Sequence, residues 1–427
     1  MSLRIGFISF RISGTDGVSL ETKKWADVLT RMGFECFFMA GQLDTPPDRS
    51  YEVPEAHFQT PDAKMLYYRC FYQPVRDPET SRIIHERRER LKDHLYEFVR
   101  RFSLDLLIPE NVLAIPLNIP LALALTEFIA ETGFKVLAHH HDFYWERKRF
   151  LTNCVWDYIN WAYPPHLPSV HHVVINSSAQ NQLALRTGIS STLIPNVMEF
   201  EAPPPPLDEW AQDVREALGI REDELFILQP TRVVQRKGIE HAIEFTARLG
   251  LPAKLVISHA SGDEGHEYEQ RVREYAQLLG VNALFVSDII GEERGYTPDG
   301  RKIYSLYDVY PHADLVTYPS IYEGFGNAFL EAIYFKKPIL VNNYSVYSHD
   351  IRPKGFKCLE MDEFITTDLI DTARALLKRP DVIQEWVEHN YELARQYYSY
   401  SVLKTKLISI LVSHFGYSNI SPCPDRV

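Results

Sequence analysis

Glu323-Gly-Phe-Gly-Asn-Ala-Phe-Leu-Glu331 sets two carboxylates eight residues apart across a Gly-rich turn that opens an apolar helix. The preceding Ala313-Asp-Leu-Val-Thr-Tyr-Pro319-Ser reads as a buried strand ending in a turn, and Ala328 to Phe335 reads as the helix. The unit is strand, loop, helix. Gly324 and Gly326 let a ligand approach the backbone, and the free N–H groups of a helix start favour a diphosphate. Glu323 in the loop is placed to accept from a hexose diol, and Glu331, one to two turns into the helix, from a ribose diol. Phe325 and Asn327 complete the loop.

A second unit of this kind lies upstream. The strand Glu224-Leu-Phe-Ile-Leu-Gln-Pro230 runs into Thr231-Arg232-Val-Val-Gln-Arg236-Lys237-Gly238, and the helix Ile239 to Leu249 follows. Arg232 and Lys237 therefore sit beyond the C-terminal end of a strand, where open α/β sheets bind ligands. Two cations suit a diphosphate leaving group, Arg through paired hydrogen bonds and Lys as a point charge.

Near the N-terminus, the strand Leu3-Arg-Ile-Gly-Phe-Ile-Ser-Phe10 leads into Gly14-Thr-Asp16-Gly17-Val-Ser19 and a helix with Leu20, Trp25, Val28, Leu29 and Met32 on its apolar face. Val136-Leu-Ala-His139-His-His141-Asp142 is a strand ending in imidazoles, followed by the cationic run Arg147-Lys148-Arg149. Neighbouring side chains on an extended chain point to opposite faces, and no further His or Cys stands at a metal-ligand spacing, so no metal site is expected. The basic run suits an acceptor carrying a carboxylate or phosphate; a solvated charge run is the other reading.

Arg232-x4-Lys237 followed by Glu323-Gly-Phe-Gly-x4-Glu331 resembles the retaining glycosyltransferases of family 4, and the likeness extends over nearly the whole chain. It implies an α/β architecture of the GT-B type: two Rossmann-like domains facing a central cleft, with a C-terminal helix crossing back to the N-terminal domain. The resemblance implies catalytic roles for Arg232, Lys237, Glu323 and either His140 or His141, between which the sequence does not decide. Donor contacts are implied for Gly14, Gly17, Gly324, Phe325, Gly326, Asn327 and Glu331, and acceptor contacts for Asp16, Arg147, Lys148 and Arg149. Within the family, Asp16-Gly-Val-Ser-Leu-Glu21, His139-His-His-Asp-Phe143 with Trp145-Glu-Arg147, and Val173-Val-Ile-Asn176-Ser with Ile194-Pro-Asn-Val-Met198 resemble a branch of mannosyltransferases, and the resemblance implies transfer of mannose from GDP-mannose to a small anionic acceptor such as glucosylglycerate, giving a compatible solute. A UDP- or ADP-glucose-dependent glucosyltransferase is the alternative within the family. A nucleotide-sugar epimerase, a phosphorylase and a non-catalytic subunit are the alternatives outside it. The chain departs from the family at Asn196-Val197, where Asn-Gly is usual, and in having only Gly14 and Gly17 in the first loop; both bear on the acceptor.

The 427 residues exceed a single core, and the 45% hydrophobic and 24% charged content is that of an ordinary globular protein. The run Pro203-Pro-Pro-Pro206 reads as a stiff linker, giving domains at 1–202 and 203–392 with a tail at 393–427. Strands and helices alternate on both sides of it, as parallel sheets require: after it come Phe226 to Gln229, Ala253 to Ser258, the helix His266 to Leu279, Ala283 to Val286 and Ile339 to Val341. Cys36, Cys70, Cys154, Cys358 and Cys423 show no paired spacing, so a reducing cytoplasm is expected. A strand that starts at once leaves no room for a secretory signal, and the apolar run Leu113 to Leu125 is broken by Pro116, Asn118 and Pro120, so no transmembrane segment is expected. A net charge of −12 disfavours nucleic acid. The expected partners are a nucleotide sugar and a sugar acceptor, without a tightly bound cofactor; a homo-oligomer is compatible with the sequence. No Asp-x-Asp clamp for a metal-bound diphosphate occurs.

Overall fold

The computed structural model of the chain describes residues 3–14, 16–261 and 267–416. It consists of two compact units, one formed by 1–196 with 401–427 and the other by 197–400. Thr15, His266 and Cys423 lie outside the described residues.

The first unit is built on seven parallel strands: β1 (Arg4–Ile8), β2 (Glu35–Ala40), β3 (Ser50–Glu52), β4 (Leu106–Pro109), β5 (Val136–His140), β6 (Val170–Val174) and β7 (Ser191–Leu193). Their order is β3-β2-β1-β4-β5-β6-β7. The direction of winding therefore reverses between β1 and β4, the place where loops at the strand ends part and leave room for a ligand. Ile5, Phe7, Leu107, Ile108, Val136 and Ala138 are all buried, as expected when helices cover both faces of a parallel sheet. The interrupted apolar run is part of this core. Asn118 caps the helix Ile119–Thr132 by accepting from the Leu121 N–H at 3.2 Å, and Pro120 occupies its first turn, where a missing N–H costs nothing. This helix packs on the long helix Pro78–Phe102.

The second unit has six parallel strands, β8 (Leu225–Gln229), β9 (Ala253–Ile257), β10 (Ala283–Phe285), β14 (Leu315–Tyr318), β15 (Ile339–Asn342) and β16 (Leu359–Met361), in the order β10-β9-β8-β14-β15-β16. Its reversal falls between β8 and β14. Three short strands, β11 (Ile290–Gly291), β12 (Gly295–Tyr296) and β13 (Lys302–Ser305), make a separate small sheet that the sequence pattern did not announce. Both units are thus Rossmann-like, and among the described residues no helix is long and apolar enough to cross a membrane.

The division does not fall at the proline run. Tyr391 Oη donates to the carbonyls of Phe200 and Ala202, Tyr334 Oη to that of Pro203, and Met198 N–H to that of Tyr398. These bonds fasten 198–203 within the second unit, so the chain leading into the proline run already belongs to it. The expected tail is likewise divided. Helix Pro380–Tyr398 packs on helices Asn327–Tyr334 and Thr367–Leu377 of the second unit. Helix Tyr400–Phe415 belongs to the first, where Lys406 Nζ donates to the Leu193 carbonyl at 2.9 Å and Lys135 Nζ to that of His414 at 2.6 Å.

Candidate functional site

In the second unit the two loops flanking the reversal are joined. Gly238, at φ +59°, lies so close to the Pro319 carbonyl that a Cβ would come within 2.5 Å of it. The Ile321 N–H donates to the Arg236 carbonyl at 2.8 Å. This brings Glu323, beyond β14, against the cations beyond β8. Lys237 Nζ donates to Glu323 Oε1, and Arg236 Nη1 to Glu323 Oε2 at 3.1 Å. Burial alone would raise the Glu323 pKa, but Lys237 and Arg236 outweigh it and hold the carboxyl below its ordinary value. Burial, assisted by the neighbouring arginines, lowers that of Lys237. Two cations, Arg236 and Lys237, thus share one buried carboxylate, and Arg232 adds its charge beside Lys237.

Arg232 is exposed and has no ion pair among the described residues, which leaves its guanidinium available to an anion. His259, next to the end of β9, lies in the field of the same cations. Burial, followed by Arg232 and Lys237, drops its pKa to about 4, so it is neutral around pH 7. Neither Arg236 nor His259 had a role in the sequence reading. Arg236 stood within the quoted loop, but its aim at Glu323 depends on how the two loops meet.

Gly326 is required by geometry. Its φ is +125°, and a Cβ there would lie 2.5 Å from Tyr344 Oη. It precedes helix Asn327–Tyr334, whose start has no side-chain cap. Gly324 and Asn327 flank this turn. Phe325 has a different task from the expected donor contact: its ring is 2% exposed and packs edge-on against Tyr398 at 5.3 Å, while its carbonyl accepts from Tyr344 Oη at 2.8 Å. It anchors the loop. Glu331 accepts from Tyr310 Oη at 2.9 Å, a buried phenol that orients the carboxylate.

In the first unit, the residues after β4 and β5 meet. Strand pairing sets Glu110 beside His139, and His139 Nδ1 and His141 Nε2 both donate to Glu110 Oε2, each at 2.9 Å. All three side chains are buried, and their donor atoms lie within 4.8 Å of one another. The alternation that separates His140 from its neighbours is what puts His139 and His141 on one face, and the third member is a glutamate, which a search for His and Cys spacing passes over. Burial would depress the His141 imidazole, but Glu110 reverses this and its pKa lies above the ordinary value. At His139 burial wins over Glu110 and the pKa is lowered. Burial would raise that of Glu110, yet the two imidazoles bring it below the usual carboxylate range.

His140 points the other way. It is 1% exposed, its Nε2 lies 2.9 Å from His172 Nδ1, and its ring packs near Phe143. Burial and His172 push its pKa well down, so it is a neutral core residue. Asp16 is also occupied: it caps helix Gly17–Arg31 by accepting from the Val18 and Ser19 N–H groups, binds Ser19 Oγ at 2.6 Å and pairs with Arg11 at 3.1 Å. The sequence reading gave it to the acceptor, whereas its carboxylate serves the loop. Gly14 adopts φ +70° and donates its N–H to Asp44 at 3.0 Å, with Gly17 starting the helix. Of the basic run, Arg147 pairs with Asp142, Arg149 lies over the Phe150 ring at 4.8 Å, and Lys148 is exposed.

A sequence model described as glycosyl transferases group 1 matches residues 211–392, the part that holds Arg232, Lys237, Glu323 and Glu331. The mannosylglucosylglycerate synthase of Thermotoga maritima is 34% identical over 93% of this chain and 97% of its own. The chain is a group 1 glycosyltransferase. A second synthase of that name, from Petrotoga mobilis, is 33% identical over 84% of this chain and 86% of its own. A glycosyltransferase from Rickettsia africae ESF-5 superposes with a TM-score of 0.69 over 97% of this chain and 99% of its own at 14% identity, which supports the GT-B fold.

Proposed function

We propose that this glycosyltransferase moves mannose, with retention of anomeric configuration, from GDP-mannose to glucosylglycerate or a closely similar anionic acceptor. The observation that carries the reading is the likeness, over almost the full length of both chains, to two mannosylglucosylglycerate synthases. The second unit supplies the donor residues. Arg232 and Lys237, with N–H groups at the start of helix Asn327–Tyr334, face the diphosphate, and Glu331 takes the ribose diol. Glu323, fixed by Lys237 and Arg236, accepts from the hexose. In the first unit His141 contacts the hexose, because His140 is turned into the core, and the exposed Lys148 and Arg149 suit a glycerate carboxylate.

As the bond from the anomeric carbon to the diphosphate oxygen breaks, the electron pair stays on the leaving group, where the cations stabilise it. The acceptor hydroxyl attacks the same face, and its proton passes to the departing phosphate oxygen. The charge on the leaving group is met by side-chain cations, and no motif of the chain requires a divalent ion.

The test is nucleotide release from GDP-mannose, UDP-glucose, GDP-glucose and ADP-glucose, with and without glucosylglycerate. Release that needs GDP-mannose and glucosylglycerate together supports the reading. Release from another donor to a neutral sugar refutes the substrates and keeps the glycosyl transfer.

A further inference from the structure

The two residues that follow β4, Glu110 and Asn111, hold His139, His141 and Asp142 at the end of β5. Glu110 takes the His139 and His141 rings on one carboxylate oxygen, as described above. Asn111 takes the main chain. Its N–H donates to the His139 carbonyl at 2.9 Å, its Oδ1 accepts from the His141 N–H at 3.0 Å and the Asp142 N–H at 3.4 Å, and its Nδ2 donates to Asp142 Oδ1 at 2.7 Å. To do this Asn111 adopts φ +62°, a left-handed conformation that costs a non-glycine residue free energy and that Asn tolerates better than most.

The unused atoms decide what this cluster is. His139 Nε2 and Glu110 Oε1 are buried without a hydrogen-bond partner, and the His139 ring is stacked on Trp25 with centroids 4.1 Å apart. A metal-bound imidazole normally donates its second N–H to an acceptor. His139 has no such acceptor, so the bare nitrogen is Nε2 and the proton sits on Nδ1, on the bond to Glu110. By the same geometry His141 carries its proton on Nε2. Its Nδ1 has no partner among the described residues, and His141 is 8% exposed where His139 is fully enclosed. Glu21 and Asp142 add negative charge around His141, and Lys24 pairs with Glu21.

We infer that Glu110 and Asn111 are positioning residues, Glu110 fixing the ring and tautomer of His141 and Asn111 its main chain, so that His141 presents Nδ1 to the sugar being transferred. The assignment of the sugar to His141 rests on the proposed function; the tautomer does not, and the two are tested apart.

The experiment compares the full-length protein with Glu110→Gln, which keeps the volume and removes the charge, and with Asn111→Gly, which keeps the left-handed backbone accessible and removes the side chain. Imidazole nitrogen NMR, with His141→Gln used to assign the signals, reads the tautomers directly. The expected wild-type spectrum has His139 protonated at Nδ1 and His141 at Nε2, and Glu110→Gln gives mixed tautomers at His141. In turnover, both variants are expected to lose roughly 10- to 100-fold in kcat, the scale of a displaced reacting partner, with GDP affinity unchanged. Wild-type tautomers in Glu110→Gln, or a stoichiometric zinc ion in the purified wild type that Glu110→Gln loses, overturns the role of Glu110. Full activity in Asn111→Gly shows that only the backbone conformation matters there and overturns the role of Asn111. Altered tautomers with unchanged kcat would uphold the positioning of His141 and remove the sugar from it.

Discussion

Glu323 and Glu110 occupy corresponding places in the two units. Each is a buried carboxylate just beyond the strand at which the sheet reverses, β14 in one unit and β4 in the other. Their neighbours differ in kind. Glu323 is held by an ammonium and a guanidinium, Lys237 and Arg236, whereas Glu110 is held by two imidazoles whose charge depends on their surroundings. The first arrangement fixes a field; the second fixes an orientation. A leaving diphosphate needs the former, and a hydroxyl to be aligned needs only the latter.

The contrast breaks if the cations prove dispensable. Lys237→Ala is expected to cut kcat by roughly 10²–10³, the usual loss when a charge stabiliser is removed from a desolvated site. Near-normal single-turnover rates would show that the cluster merely holds its loop.

A pH titration sharpens it from the imidazole side. His172, the partner of His140, has its pKa lowered to about 4 by burial and by neighbouring histidines. The unfolded chain takes up the proton first as pH falls below about 6.5. Stability from this group is therefore complete above that pH and is lost toward pH 4. Chemical denaturation should show His172→Gln losing about 2–3 kcal/mol less than the wild type between pH 7 and 4.5, and equal losses would refute the assignment.

Two smaller effects bear on the loop and helix that follow β14. Gly326→Ala forces a Cβ toward Tyr344 at a φ that L-residues avoid, and should cost about 1–3 kcal/mol, read as a lower melting temperature together with weaker GDP binding. Tyr310→Phe removes one bond to Glu331 and should raise the donor KM by about 5-fold with kcat unchanged, the worth of a single hydrogen bond. A drop in kcat alone would mean that Tyr310 acts on the reaction centre by another route.

Local spacing explains why much of this could be read from the sequence. Glu323 to Glu331 lies in one loop and one helix, so residue types and chain geometry suffice to place both carboxylates beyond β14. Arg232 and Lys237 were legible for the same reason. Glu110 was not, because its meaning comes from strand pairing with a segment 29 to 31 residues away. Phe325 and Asp16 stand within legible loops, but whether such a side chain faces ligand, core or its own helix start depends on packing that sequence spacing does not encode. The proline run reads as a linker by composition, yet the three tyrosine-to-carbonyl bonds that fasten 200–203 come from residues 334 and 391.

The bond from Met198 to Tyr398 has a consequence for how the chain is assembled. The second unit begins and ends side by side, since Met198 also bridges to Ser399. Within the first unit, Lys406 of the last helix is fastened to the Leu193 carbonyl. One Rossmann-like unit is therefore spliced into the sequence of another as a closed loop, and ribosomal synthesis completes the inserted unit before the host receives its last helix. Met198 and Ser399 are also the natural ends at which the inserted unit can be cyclised or given new termini without stretching its backbone.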